Sequence, residues 1–375
     1  MCLNLMASYA CAQHSACQQV LASKCCFAET KDCDPRCQWA LKKYLNPTGL
    51  GVAHVFTDLG EFGHSMPPYC VGHGRRCWVP QVDVDMTGTP CQDFSQQGHR
   101  EGPQGKQMWV FLAWVAAVLA SDAAVVIHEN VPQFWVELLV QHLGMKYHIY
   151  SMLVDCNDMG FGLISRQRRY SILYHKLKTN VRHSPVAVYG LLRQKCNSHM
   201  HRLACTPMDC FLASPDEVAG EMAMAAQSKN MPLHAALACP GLLFSPSEAS
   251  HLEFYIMAWT SKYGIHPMFC PWAVFNLGDN PAKGYLTWSA ASGKIPGLRT
   301  GGHKLWVPWL GRWLTALELL GAMGLPVYPE LAEAARVKQW TVQPGVNPRH
   351  MLGNMMHVSS AGAVLAVALA CVQII

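Results

Sequence analysis

Over the first half of the chain, short apolar runs alternate with helical stretches and breaks marked by glycine and proline. Residues 79–86 predict a strand that ends in the Gly88-Thr89-Pro90 turn. Residues 108–121 predict a long amphipathic helix, and the β-branched run 123–128 predicts a buried parallel strand followed by Glu129. Repeated over residues 1–175, this pattern predicts an α/β fold with a doubly wound, Rossmann-like sheet. Ligands in such sheets sit at the carboxyl ends of strands, which places Cys91 and Glu129 where chemistry is expected.

The pattern weakens further along. Residues 203–275, rich in Met, Pro and Cys, predict an irregular region, and 276–310 a Gly- and Trp-rich loop region. A helix over 313–323 is predicted to stop at Gly324, with Pro326 beyond it. The apolar tail, 358–375, has about the minimum length of a membrane span but no basic anchor after it, so it is read as a buried helix.

Composition narrows the picture. At 375 residues, the chain is long enough for about two domains, or one large domain with an insertion. With 51% hydrophobic and 14% charged residues it is not intrinsically disordered. Its 17 cysteines are an odd number, and Cys25 and Cys26 are adjacent, which suits reduced thiols in an intracellular protein better than a disulfide framework. Between residues 160 and 202 fall nine Lys or Arg and no acid. That run fits a phosphate-facing surface or a solvated face balanced by acids elsewhere, and sequence alone leaves both open.

The most informative stretch is Gly88-Thr89-Pro90-Cys91-Gln92-Asp93-Phe94-Ser95-Gln96-Gln97-Gly98. Cys91 follows a proline in a turn at a strand end and is read as preceding a helix, where peptide dipoles favour a nucleophilic thiolate. Glu129-Asn130-Val131-Pro132 occupies the matching position on the next strand, so a carboxyl could serve as proton donor beside the thiol.

These two segments resemble the cytosine-C5 DNA methyltransferase family. Further similarities follow in the family's order: Arg166-Gln167-Arg168-Arg169-Tyr170 to its Gln-x-Arg-x-Arg motif, and Arg312–Glu318 with Gly324-Leu325-Pro326 to its Arg-x-Leu-Thr-x-x-Glu segment. Gly353-Asn354 resembles its closing Gly-Asn motif. The resemblance implies a methyl transfer from S-adenosylmethionine to C5 of a cytosine flipped out of a duplex. Cys91 would add at C6 while Glu129 contacts N3 and the exocyclic amine, and Arg169 would hold the base and its carboxylate neighbours. It further implies Gln92, Ser95, Asn130 and Arg168 as substrate contacts, with residues 94–105 as the loop closing over the base. Asp32 (preferred over Glu29), Asp58, Pro90 and Asn354 would bind the cofactor.

The resemblance also implies a cofactor-binding and catalytic part over 1–175, a target-recognition region over 176–309 and a return to the catalytic domain over 310–375. The partner would be DNA, with a tRNA cytosine as the alternative substrate, no membrane association, and a nuclear location in a eukaryote. The chain departs from the family in two places. The glycine turn of the cofactor site should fall near residues 8–15, which contain no glycine, and Ser165 and Gln167 stand where the family has Gln and Arg. A non-catalytic, DNA-binding paralogue with an impaired cofactor site is therefore a second alternative. The cluster Cys196, His199, His201, Cys205 and Cys210 has residue types that suit zinc, but its spacing matches no standard module, so no metal ligands are assigned.

Overall fold

The computed structural model describes residues 29–31, 54–62, 66–95, 98, 100–160, 162–200, 206–284, 286–298, 304–335, 337, 339–341, 352–353 and 355–375. The chain divides into two compact units, Met1–Asp155 with Gln167–Cys196 and Ser360–Ile375, and Cys156–Arg166 with Asn197–Ser359. The expected divisions at 175/176 and 309/310 differ from these, because residues 176–196 group with the first unit and 310–359 with the second.

The first unit is α/β. A small sheet runs β1 (Glu29–Lys31), β2 (His54–Phe56), β3 (Tyr69–Cys70) and β4 (Arg75–Arg76), with β1 and β2 parallel and the rest antiparallel. A second sheet holds β5 (Val84–Gly88), β6 (Val125–Asn130), β7 (Tyr147–Val154) and β8 (Arg168–His175) in the order β5-β6-β8-β7. Only β5 and β6 are parallel here, so this sheet is mixed. Every residue of β6 is buried, as its unbroken apolar start implies. Phe111, Trp114 and Val118 of the Met108–Ser121 helix, and Leu139 and Leu143 of the Val136–Leu143 helix, form one core with Val126 and Leu173.

The Met108–Ser121 helix has the predicted bounds, and the two strands lie a few residues later than predicted. The helix ends because Asp122 takes a left-handed conformation (φ 56°). The Asp122 carboxylate then gathers Lys146, Lys178 (2.5 Å) and His175 Nε2 (3.0 Å). The two lysines hold its carboxyl well below the usual carboxylate range.

Past β8, β9 (Thr179–Val181) pairs antiparallel with the C-terminal strand Val372–Ile374, and Tyr174 donates its hydroxyl to the carbonyl of Ala368 at 2.8 Å. The apolar tail is thus a 13-residue helix, Val358–Ala370, followed by a paired strand. Among the described residues no helix is long and apolar enough to cross a membrane.

The second unit contains an antiparallel sheet of β10 (Phe275–Asn276), β11 (Leu305–Val307) and β12 (Arg312–Trp313). Residues 203–275, expected to be irregular, instead hold the helices Pro215–Ser228, Leu233–Ala238 and Pro246–Tyr263. The reason is visible in the sequence as two Ser-Pro-x-Glu starts. Ser214 and Ser245 cap the third residue of their helices through their hydroxyls, with proline at the first turn, where its missing N–H costs nothing. The helix predicted over 313–323 is shorter, Ala316–Ala322, because Trp313 belongs to β12. Thr315 and Glu318 form a capping box, and Arg312 grips both oxygens of the fully buried Glu318 carboxylate at 2.8 Å each.

Candidate active site

The parallel pairing of β5 and β6 sets Gly88 opposite Glu129 at the carboxyl ends of both strands. Pro90 and Cys91 leave the sheet just beyond Gly88, and Asn130 lies just beyond Glu129. Side chains stitch the two ends together. Asn130 Nδ2 donates to Thr89 O (3.2 Å) and Thr89 Oγ1 (3.0 Å), while Asn130 Oδ1 accepts from Val131 N (2.8 Å). Because the Thr89 hydroxyl oxygen already accepts from Asn130, its own hydrogen is available to His128 Nε2, 2.8 Å away. His128 is buried among Trp114, Phe111 and Phe134, and this burial lowers its pKa to about 3, so it is neutral.

Cys91 is half-buried against the apolar core of the sheet. It opens a turn, not the expected helix, since its carbonyl accepts from the amides of Phe94 (3.0 Å) and Ser95 (2.8 Å), and the next α-helix starts only at Met108. The turn is held by a residue that the sequence reading passed over. Asp93, buried, accepts from Gln107 N at 2.8 Å through Oδ2 and from Gly102 N at 2.9 Å through its carbonyl. Two glycines permit this packing: a Cβ on Gly98 would lie 1.8 Å from the Gln92 carbonyl oxygen, and one on Gly105 would lie 2.0 Å from the Asp93 carboxyl carbon. A buried Asp followed by glycines in one short loop was the available signal.

Glu129 is buried on β6 opposite Tyr170 on β8. Arg168 lies two residues along β8 on the same face, and its Nε reaches Glu129 Oε1 at 3.1 Å. Arg169 points elsewhere: its Nε and Nη2 donate to Pro132 O at 2.9 and 2.8 Å, and its Nη1 to Ser151 Oγ at 3.4 Å. The arginine on the carboxylate is therefore Arg168, and Arg169 anchors the backbone that follows Glu129-Asn130-Val131. Beside the turn is a cleft of about 250 Å³ lined by Asp93, Phe94, Arg100, Gly102, Gln133 and Trp135, the last with an exposed ring.

Part of the basic run is absorbed by the fold. Arg166 is buried and donates to the carbonyls of Gly353 (3.2 Å) and Met355 (2.6 Å), Lys176 to that of Gly144 (2.7 Å), and Lys178 is bound to Asp122. Arg168 and Arg169 are also engaged, while Arg182, Arg193 and Lys195 of the same run are exposed.

Of the cofactor candidates, Asp32 and Asn354 lie outside the described residues, as does the 8–15 stretch. Asp58 is exposed and caps the short 3-10 helix Leu59–Glu61, its Oδ1 accepting from Gly60 N at 2.7 Å. It follows β2 by two residues, and Asp32 follows β1 directly in sequence. The two strands run parallel in register, which puts the carboxyl end of β2, with Asp58 beyond it, beside that of β1. Of the cysteines and histidines between 196 and 210, the side chains of His199, His201 and Cys205 lie outside the described residues, and buried Cys210 donates to Pro207 O at 3.1 Å.

Comparison with known proteins bears on the same segment. Solved structures include Schizosaccharomyces pombe Dnmt2 methyltransferase, 15% identical with a TM-score of 0.45, covering 91% of this chain and 90% of that one. A Spodoptera frugiperda DNMT2 variant is 13% identical with a TM-score of 0.41, covering 91% and 92%. A putative DNA modification methyltransferase encoded within an E. coli prophage is 21% identical with a TM-score of 0.21, and this chain spans only 28% of its length while 26% of this chain is covered. Likenesses at these identities and scores bear on neither substrate nor activity. No curated protein matches the chain. The family described as C-5 cytosine-specific DNA methylase matches residues 74–200, the stretch that holds Cys91, Glu129 and Arg168.

Proposed function

We propose that the protein is a DNA cytosine-C5 methyltransferase that works through a covalent Cys91 adduct. The observation that carries this reading is the Gly88–Glu129 register, locked by Asn130 to Thr89, which sets the Pro90-Cys91 turn and the Glu129 carboxylate at neighbouring strand ends. Cytosine C5 is a weak nucleophile until an electron pair is added at C6. The Cys91 thiolate adds there and forms a carbon–sulfur bond, which leaves C5 electron-rich. Glu129, oriented by Arg168, contacts N3 and the exocyclic amine and stabilises charge as it develops on the ring. S-adenosylmethionine, when bound, supplies the methyl group, and Asp32, Asp58, Pro90 and Asn354 are the residues proposed to hold it. Loss of the C5 proton to a base then expels the Cys91 sulfur and restores the aromatic ring.

The target base must leave its stack to reach Cys91, at a cost of about a few kcal/mol. Gln92 and Ser95 are the proposed contacts to the flipped nucleotide, whereas Asn130, expected among them, is buried and committed to Thr89 and Val131 and so holds the strand ends instead. The Trp135 ring beside Arg100 suits stacking and phosphate contact at the cleft. A duplex DNA substrate would give the protein a nuclear role in a eukaryotic cell.

The test is trapping with 5-fluorocytosine, which blocks the proton loss and arrests the adduct. A covalent complex with duplex DNA in the presence of S-adenosylmethionine, absent in Cys91→Ala, is expected. An adduct formed only with tRNA moves the substrate to RNA. Cofactor binding by calorimetry without any adduct, or no cofactor binding at all, leaves a DNA-binding protein without turnover and overturns the proposal.

A further inference from the structure

The sheet of β1–β4 has little to hold it together. Its strands are two or three residues long, and the apolar cluster with it is Phe56, Phe62, Cys70, Cys77 and Ala117. Sheets this small usually need an additional brace.

Four side chains converge on it: His54 on β2, Cys70 on β3, His73 in the turn between β3 and β4, and Cys77 directly after β4. One ligand atom from each lies within 4.8 Å of all the others. The topology brings them together. Phe56 pairs with Cys70, which sets His54 two residues along the neighbouring strand. Cys70 pairs with Arg75 across the hairpin, and Cys77 N donates to Pro68 O at 3.0 Å, which returns the second cysteine to the first. Gly74, at φ 65°, lets the chain reverse immediately after His73.

The distances fit a metal better than they fit hydrogen bonds. His73 Nδ1 is 3.6 Å from Cys70 Sγ and 3.4 Å from Cys77 Sγ, so one nitrogen faces two sulfurs. Zinc bonds of about 2.3 Å to sulfur and 2.0–2.1 Å to nitrogen, set tetrahedrally, separate N and S ligands by about 3.5 Å. The rings of His54 and His73 meet edge to face with centroids 4.7 Å apart, and His54 Nδ1 is buried with no hydrogen-bond partner. A buried imidazole nitrogen without a partner is costly, and a cation shared with the other three groups would remove that cost.

We propose that His54, Cys70, His73 and Cys77 bind one zinc ion at a structural site. Cysteine and histidine are the ligand types zinc prefers, and four protein ligands leave no open position for water or substrate, so the site braces the sheet and performs no chemistry. The ion would tie β2, whose end carries Asp58, to the β3–β4 hairpin. The proposal is independent of the methyltransferase reading, since neither Cys91 nor Glu129 takes part.

The experiment uses the full chain, produced in zinc-supplemented cells and purified without chelator. Elemental analysis is expected to find one zinc per chain, and exchange for Co²⁺ to give the intense ligand-field absorption of a tetrahedral site with a thiolate charge-transfer band. Cys70→Ser and Cys77→Ser should each lose the metal, and Cys239→Ser, at an exposed cysteine in the other unit, should keep it. Should the cysteine variants prove insoluble, the metal count and cobalt spectrum of the unaltered protein decide alone. Absence of stoichiometric metal, zinc retained in the Cys70→Ser/Cys77→Ser double variant, or a Cys70–Cys77 disulfide in protein kept under reducing conditions overturns the proposal.

Discussion

Arg168 sets its Nε 3.1 Å from Glu129 Oε1, whereas the adjacent Arg169 spends its guanidinium on the carbonyl of Pro132. Strand alternation separates the two: consecutive residues of β8 face opposite sides of the sheet, and only Arg168 shares the face of Glu129. Arg168→Ala should therefore lower kcat/KM by about 100-fold or more, in the range seen when an electrostatic donor at a reacting centre is removed. Arg168→Lys, which keeps the charge but loses the guanidinium geometry, should recover part of that loss. Equal kcat/KM for Arg168→Ala and the unaltered enzyme would show that Glu129 needs no orienting partner.

The Cys91 turn has a packing limit at Gly98. An added methyl would meet the Gln92 carbonyl oxygen at 1.8 Å, a contact that only a backbone shift can relieve. Gly98→Ala is expected to slow formation of the 5-fluorocytosine adduct by at least about tenfold, as misplacement of a reacting group by about 1 Å commonly does. The melting temperature should fall as well, because the turn carries buried Asp93 and Phe94, so trapping is compared well below the melting temperature of the variant. A variant with normal trapping kinetics would mean that the turn is free to rearrange at no cost.

Asn130 serves both backbone and side chain of Thr89. Asn130→Ala leaves a buried carbonyl without its donor, which should cost about 1–3 kcal/mol in urea denaturation. It should also reduce trapping by Cys91, since the two strand ends lose their stitch. Loss of stability with unchanged trapping would confine Asn130 to a structural role.

His128 makes stability depend on pH. Its folded pKa, lowered to about 3 by burial, lies below the unfolded value of 6.5. Above pH 6.5 neither state is protonated there, and the contribution is complete. As pH falls below 6.5 the unfolded chain takes up a proton that the folded one refuses, so stability declines by up to about 1.4 kcal/mol per pH unit. Between pH 6.5 and 5 that amounts to about 2 kcal/mol. Urea midpoints of the unaltered protein and His128→Gln across this range should differ in slope by one proton. Parallel slopes would place His128 in contact with water.

Local patterns were legible wherever one short-range rule dominates. The run 123–128 announced a buried strand, and Pro90-Cys91-Gln92 with Glu129-Asn130 announced the candidate site. The apolar stretch 108–121 announced a helix with the observed bounds, but not the expected amphipathic one, since Trp109, Leu112 and Leu119 leave apolar side chains on its exposed face too. The Ser-Pro-x-Glu starts at Ser214 and Ser245 were equally local, and 203–275 was misread only because its Met- and Pro-rich composition outweighed them.

Sequence by itself determined which residues are candidates for the chemistry and that they lie at strand ends, because residue type and strand periodicity are properties of neighbouring positions. Tertiary structure alone decided which arginine meets Glu129, how Asp93 and Gly98 shape the Cys91 turn, and that His54, Cys70, His73 and Cys77 share one point in space. Those are relations between residues brought together by register and hairpin geometry. No rule of spacing along the chain encodes them, since a shift of one residue in pairing would turn each side chain to the opposite face.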